Sequence, residues 1–417
     1  MIRLLIIADD FTGALDTGVQ FAACGAATRV ITDCKASLDA YADSCEVLVV
    51  DAETRHLGAD VAYGRISGIV SQAITLDIPH IFKKTDSALR GNIGAELAAL
   101  MEASGEAQLP FLPAFPQMNR CTMNGVQYIN GVPVAESVFG KDPFDPVTCS
   151  SVSDIIALQS DAAVTTLCPG EAISKNPGIL VFDAASVQDL SLEAQQLHLE
   201  NKLHIMAGCA GFGSVLPQLL GIGTGKPTAL PELDSNFLVI CGSVNPITVA
   251  QCDRAQQEGF LRIRLDPEQK LNPGYWSSEE GELQFQSLQE ALNRNRCRII
   301  DTNDPGSNHP TSDYAKDHGM TIEDVRQAVS RSVGYLVSRL FPNPNLGTLL
   351  ITGGDTLLQC MDYMNIREIE PLGELDRGVV LSRFTYQGYT RYVISKSGGF
   401  GTEDLFVRLA DRIAQQP

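Results

Sequence analysis

Two adjacent carboxylates, Asp9 and Asp10, stand directly behind the apolar run Leu4 to Ala8 and before Phe11-Thr12-Gly13-Ala14. Helix capping, which Thr12 could also supply, explains one carboxylate at such a junction but not two. A carboxylate pair can orient or deprotonate a hydroxyl, or contact Mg²⁺. A second cluster is Lys83-Lys84-Thr85-Asp86-Ser87-Ala88-Leu89-Arg90-Gly91-Asn92. It is either a solvated basic turn with an Asp or Ser cap, or an anion site built from backbone N–H groups, Lys84 and Arg90. Its density of cations in an acidic chain favours the anion site. Asp51-Ala52-Glu53-Thr54-Arg55-His56 adds Arg55, which could fork onto a carboxylate, although a lone loop arginine is more often simply solvated.

Two glycine turns form the other candidate. They are Ile351-Thr352-Gly353-Gly354-Asp355-Thr356 and Ser395-Lys396-Ser397-Gly398-Gly399-Phe400-Gly401. One Gly-Gly is an ordinary tight turn. Two of them, each after a strand and before a helix, fit nucleotide phosphates, because glycine lets backbone N–H groups approach closely. Cys241-Gly242-Ser243-Val244-Asn245-Pro246 is a third turn of this kind.

The elements around these turns alternate between short apolar runs and longer amphipathic ones. Strands are expected at Leu4–Ala8, Arg29–Thr32, Val47–Val50 and Ile81–Lys83, with helices over Thr12–Cys24, Val61–Leu76 and Ile93–Met101. Pro110, Pro113 and Pro116 open a punctuated stretch, expected to be loop or a hairpin around Asn130-Gly131. Alternation resumes with Ile179–Phe182, Val187–Leu199 and Leu203–Ala207. Gly221 to Ser235, rich in Gly and Pro, reads as a linker. Beyond it come strands Phe237–Cys241 and Thr348–Thr352, a helical stripe from Ile322 to Leu340 and a helix over Asp404–Gln415. Continuous apolar strands alternating with helices predict α/β architecture: two domains, 1–225 and 236–417, each a mostly parallel sheet with helices on both faces. Every candidate turn lies at the carboxyl end of a strand, where open α/β sheets bind ligands.

Composition narrows the function. The 417 residues carry a net charge of -19, which opposes nucleic acid or anionic membrane as a partner. An anionic substrate then needs a local cationic pocket. The 11 cysteines are dispersed without a C-x-x-C pair, which argues against disulfides or zinc and for a reducing compartment. No signal-like or membrane-spanning run is present, so the cytoplasm is the expected location. A homo-oligomer is compatible with the sequence. There is no G-x-x-x-x-G-K-[ST], no dinucleotide fingerprint and no hydrolase or protein-kinase motif.

In order, Ala8 to Ala14, Lys84-Thr85-Asp86-Ser87 with Arg90-Gly91-Asn92, Pro113-Ala114-Phe115-Pro116, Gly242-Ser243, Thr352 to Thr356 and Ser397 to Gly401 resemble the four-carbon acid sugar kinase family. The resemblance spans nearly the whole chain. It implies an N-terminal sugar-acid domain, a C-terminal nucleotide domain and an active site in the cleft between them. It also implies ATP-dependent phosphorylation, with Mg²⁺, of the terminal hydroxyl of threonate, erythronate or 3-oxo-tetronate. The stretch Pro113 to Phe139 is most similar to the threonate branch.

Laid onto this chain, the resemblance and the charges give Arg55, Lys84 and Arg90 to the acid's carboxylate, with Thr85, Asp86 and Ser87 also in the substrate site. Asp10, Asp86 and Asp9 are the candidate catalytic carboxylates, unranked. Ser243, Gly353, Gly354, Asp355, Thr356, Gly398 and Gly399 are assigned to the ATP phosphates. No motif identifies metal ligands. The competing classes are a dehydrogenase, which lacks its glycine fingerprint, a non-catalytic sugar-acid-binding protein, and a hydrolase using Asp9 and Asp10.

Overall fold

The computed structural model describes residues 1–142, 145–226, 229–306, 309–343 and 345–416. Of the expected linker, positions 227 and 228 lie outside the described residues. The chain divides into two compact units, residues 1–228 and 229–417.

The first unit contains eight parallel strands: β1 (Leu4–Ala8), β2 (Thr28–Ile31), β3 (Val47–Asp51), β4 (His80–Lys84), β5 (Gln108–Leu112), β9 (Val164–Leu167), β10 (Gly178–Phe182) and β11 (Ile205–Gly208). Their order is β2-β3-β1-β4-β11-β5-β10-β9. A separate antiparallel sheet comprises β6 (Arg120–Met123), β7 (Val126–Ile129) and β8 (Val132–Pro133). Leu5, Ile7, Leu48 and Val50 pack with Ile66, Ile69, Leu97 and Leu100 from the helices Ala59–Thr75 and Ile93–Ser104. Their strand neighbours Leu4, Ile6, Val47 and Val49 are equally buried and face the other way. The helix Phe11–Ala22 packs along β1, β2 and β3. Burial on both faces explains why these strands are apolar throughout.

The second unit has the order β13-β14-β12-β15-β18-β17-β16. These strands are β12 (Phe237–Cys241), β13 (Leu261–Arg264), β14 (Cys297–Asp301), β15 (Thr348–Thr352), β16 (Glu368–Asp376), β17 (Val379–Tyr386) and β18 (Tyr389–Lys396). Pairing is parallel from β13 to β18 and antiparallel from β18 to β16.

Both units share one topological device. From its first strand the chain runs to two strands on one side, then crosses to the other side. The carboxyl end of that first strand, β1 or β12, is therefore a switch point, where the flanking loops part and leave a crevice.

The fold decides between two pairs of local alternatives and corrects one expectation. The first cap is Asp10 rather than Thr12, because Asp10 is the extended residue before the helix and its side chain accepts from the Gly13 N–H. Pro110 lies inside β5 rather than in a loop. That is tolerated because β11 pairs with β5 only at Phe111 and Leu112, past the proline. The Asn119 to Gly131 stretch is mostly strand, and Asn130-Gly131 does make the hairpin, with φ of 51° and 79°.

Candidate active site

Register creates the site in the first unit. Ala8 lies level with Asp51 of β3 and with Lys84 of β4, so three loops leave the sheet side by side. Asp10 closes the next helix through Oδ1, 3.0 Å from the Gly13 nitrogen. The Asp9 carbonyl accepts from the Thr54 and Arg55 N–H groups at 3.0 and 3.2 Å. These bonds carry Arg55 over the carboxylates. Glu53 makes the turn at φ 44° and accepts from the Phe11 N–H at the helix start.

Arg55 then binds both aspartates. Its Nε and Nη2 donate to Asp9 Oδ2 at 2.8 and 2.6 Å, and its Nη1 donates to Asp10 Oδ2 at 2.9 Å. Lys84 Nζ lies 3.3 Å from Asp9 Oδ1 and 3.7 Å from Asp10 Oδ1. It passes over Gly13, where a Cβ would stand 2.1 Å from Nζ. Asp86 accepts from Arg90 Nε and Nη2 at 2.8 and 3.2 Å and lies 3.9 Å from Arg55. Strand alternation sends Lys83 to the opposite face, where it pairs with Glu96 at 2.9 Å, away from the site.

Burial pushes the Asp9 carboxyl up, but Arg55, Lys84 and Lys83 overcome it and hold Asp9 below the usual carboxylate range. The same contest, won by Arg90 and Arg55, holds Asp86 well down. Burial would lower Arg55 and Lys84, yet the facing aspartates raise both. The site is thus a fixed array of charges. Side-chain exposure separates the three aspartates: 3% for Asp9, 8% for Asp86 and 22% for Asp10. Asp10 is the carboxylate with an open side. Among the described residues Thr85 Oγ1 is buried with no hydrogen-bond partner, while Ser87 Oγ accepts from Arg120.

In the second unit the glycine turns converge around the end of β12. Gly398 lies against Ser243 and Asn245; a Cβ there would stand 2.5 Å from Ser243 Oγ. Gly399 also faces Asn245, and a Cβ on Gly242 would meet Thr356 Oγ1 at 2.0 Å. Gly353, at φ 107°, starts the helix Gly354–Tyr363 with no side-chain cap. The first N–H groups of an uncapped helix lack intrahelical partners and are suited to a phosphate. The Asp355 side chain is engaged instead by Arg326.

Several participants escaped sequence reasoning. Lys396 is buried and donates to Thr248 Oγ1, Ser397 O and Gly398 O at 3.0, 3.0 and 3.1 Å, which sets the second glycine turn. Burial pushes its ammonium down to about 8. Only its position before Ser397 hinted at this. Arg120, Phe139 and Asp142 join the first-unit cluster from a stretch without clear periodicity. Cys241, Cys252 and Asp301 form the metal-compatible group among the described residues, but Arg262 holds Asp301 at 2.6 Å and two thiols do not suit Mg²⁺. Among the described residues no helix is long and apolar enough to cross a membrane.

Fold and sites together define a two-unit α/β phosphotransferase scaffold. Residues 4–216 match a sugar-binding N-terminal domain and residues 238–406 a nucleotide-binding C-terminal domain, and the chain belongs to the four-carbon acid sugar kinase family. It is 29% identical to D-threonate kinase of Salmonella typhimurium, over 96% of each chain. It is 26% identical to D-threonate kinase of Bordetella bronchiseptica, over 99% of this chain and 97% of that one. D-erythronate kinase of Heliobacterium modesticaldum is 23% identical over 97% and 95%. The fold matches a Salmonella typhimurium crystal structure with a TM-score of 0.79 at 20% identity, covering 98% of this chain and 99% of that one. A Haemophilus influenzae structure matches with a TM-score of 0.69 at 19% identity over 98% and 99%.

Proposed function

We propose that this chain is a cytoplasmic kinase that transfers the γ-phosphoryl group of ATP to the terminal hydroxyl of D-threonate. The observation that carries the reading is Asp10, partly open and held by Arg55 at a strand-end switch point of a sugar-binding unit. Phosphoryl transfer needs positioning and charge neutralisation rather than covalent help. Asp10 would orient the attacking hydroxyl, and Arg55 and Lys84 would fix its position and charge. Asp9 and Asp86 are closed in by their cations and hold the array together. Thr85 offers its hydroxyl to the substrate.

The second unit would bind ATP. The N–H groups of Gly354, Asp355 and Thr356, with Ser243, Gly398 and Gly399, would face the phosphates. Mg²⁺, carried mainly by the phosphate oxygens, would neutralise their charge. Relatives acting on D-erythronate and 3-oxo-tetronate keep those acids as the second reading.

The test is ADP release with ATP, Mg²⁺ and a panel of D- and L-threonate, D- and L-erythronate and 3-oxo-tetronate. Turnover highest on D-threonate is expected. Preference for another acid would move the substrate assignment, and silence on all of them would end the reading.

A further inference from the structure

The cations expected to hold the substrate's carboxylate are already occupied. Arg55 is bound to Asp9 and Asp10, and Lys84 lies beside the same pair. Arg90 is bound to Asp86 and, through Nη1 at 3.1 Å, to Asp142. Three cations face four carboxylates. A small anion entering here would have to compete with aspartates already fixed in place, two of them, Asp9 and Asp86, buried, which a charged newcomer does poorly.

A fourth cation in this cluster is different. Arg120 opens β6, directly after Asn119, whose φ of 53° turns the chain back beside Phe115. No carboxylate lies within ion-pair distance of its guanidinium among the described residues. Its protein partners are the Ser87 hydroxyl and the face of Phe139, 5.1 Å from ring centre to guanidinium carbon. The same ring carries Arg90, also at 5.1 Å. Burial and the neighbouring Arg90 and Arg55 disfavour the Arg120 charge, and Asp86 only partly offsets them. An arginine cannot escape by losing its proton in a protein. A guanidinium in that position has unused donors in a fork that matches a carboxylate.

Its placement is rigid. Gln127 of β7, fully buried, donates to the Ser87 carbonyl at 2.8 Å and accepts from Thr122 of β6 at 2.7 Å. Ser87 is therefore gripped from both sides by the small sheet, through its carbonyl by Gln127 and through its hydroxyl by Arg120. A chain of contacts runs from Arg120 through Phe139, Arg90, Asp86 and Arg55 to Asp10.

We infer that Arg120 is the residue that binds the carboxylate of the acid substrate, so that the small antiparallel sheet, and not the cationic turn of Lys84 to Arg90, selects an acid over a neutral polyol. This rests on the sugar-acid kinase reading and assigns the two ends of its substrate: carboxylate to Arg120, reacting hydroxyl to Asp10.

The test compares D-threonate with its uncharged amide, D-threonamide, in the wild type and in Arg120→Met and Arg120→Lys. The wild type should prefer the acid. Arg120→Met should lower kcat/KM for D-threonate about 10²-fold and the value for the amide much less, about tenfold at most, so the preference collapses. Arg120→Lys, which keeps charge but not the fork, should recover part of the preference and covers the case in which the Met variant folds poorly. Equal losses on acid and amide in both variants would make Arg120 only a clamp on Ser87 and overturn the inference. So would an unchanged kcat/KM for D-threonate. A wild type that phosphorylates no tetronate would instead overturn the kinase reading, and this inference with it.

Discussion

Arg55 holds Asp9 and Asp10 with a single guanidinium: Nε and Nη2 reach Asp9 at 2.8 and 2.6 Å while Nη1 reaches Asp10 at 2.9 Å. Adjacent residues in a chain usually send their side chains apart. Here the chain turns between them, with Asp9 directly after β1 and Asp10 capping the next helix, so both carboxylates converge on one cation. Asp9 is shut in by that contact and Asp10 is not.

The difference predicts unequal variants. Asp10→Asn should lower kcat by about 10²–10⁴. Asparagine caps a helix as well as aspartate but removes the charge that faces buried Arg55, so the urea midpoint should fall, by less than in Arg55→Met because Asp9 still pairs with Arg55. Steady-state kinetics and urea unfolding on the same preparation read both numbers. A kcat within threefold of wild type would remove Asp10 from the reaction.

Arg55→Met should act on stability as well as on activity. It leaves Lys84 as the one cation within ion-pair distance of both Asp9 and Asp10 among the described residues. Breaking a buried pair from one side costs about 3–5 kcal/mol, which a shift of the urea midpoint at constant slope would show. Acid should act at the same place. Asp9 and Asp86 titrate lower folded than unfolded, so the stability they contribute is complete above their ordinary value near 3.8 and is lost as the pH falls below it.

Gly398→Ala should disturb the nucleotide and spare the acid. The new Cβ would come within 2.5 Å of Ser243 Oγ and displace that hydroxyl from the turn. The expected result is a KM for ATP raised about tenfold or more, with the KM for D-threonate unchanged. Equal changes in both would dissociate this turn from ATP.

Glu193 predicts a pH effect remote from catalysis. It is fully buried, one oxygen accepts from the Gly170 N–H at 2.8 Å and the other has no hydrogen-bond partner among the described residues. Burial, with help from nearby carboxylates, pushes its carboxyl up to about 7 from an ordinary 4.5. The folded chain therefore keeps a proton that the unfolded chain has lost, and its stability falls as the pH rises from 4.5 through 7. Glu193→Gln should raise Tm at pH 8 and leave it nearly unchanged at pH 5. A gain of equal size at both pH values would contradict the protonation argument.

Much of this molecule was legible before any coordinates. Continuous apolar runs such as Leu4 to Ala8 and Phe237 to Cys241 announce strands buried on both faces, because burial strongly disfavours polar side chains there. Turns such as Asp9-Asp10 and Gly353-Gly354 are local sequence events at strand ends, and an ordered set of them identifies the family. What stayed hidden depends on register and on long-range contact. Pro110 reads as a loop signal in sequence, yet it fits inside β5 because β11 pairs only beyond it. Lys83 and Lys84 look alike in sequence, but strand alternation sends one to Glu96 and the other to Asp9. Arg120 sits in an aperiodic stretch, and only the turn at Asn119 and the grip of Gln127 on Ser87 bring it to the cluster. Residue type and spacing determined which groups could do chemistry, since those are properties of the local chain. Tertiary structure alone decided which charges neutralise one another and which is left for a ligand, because Coulomb energies depend on distances in space that linear order does not encode.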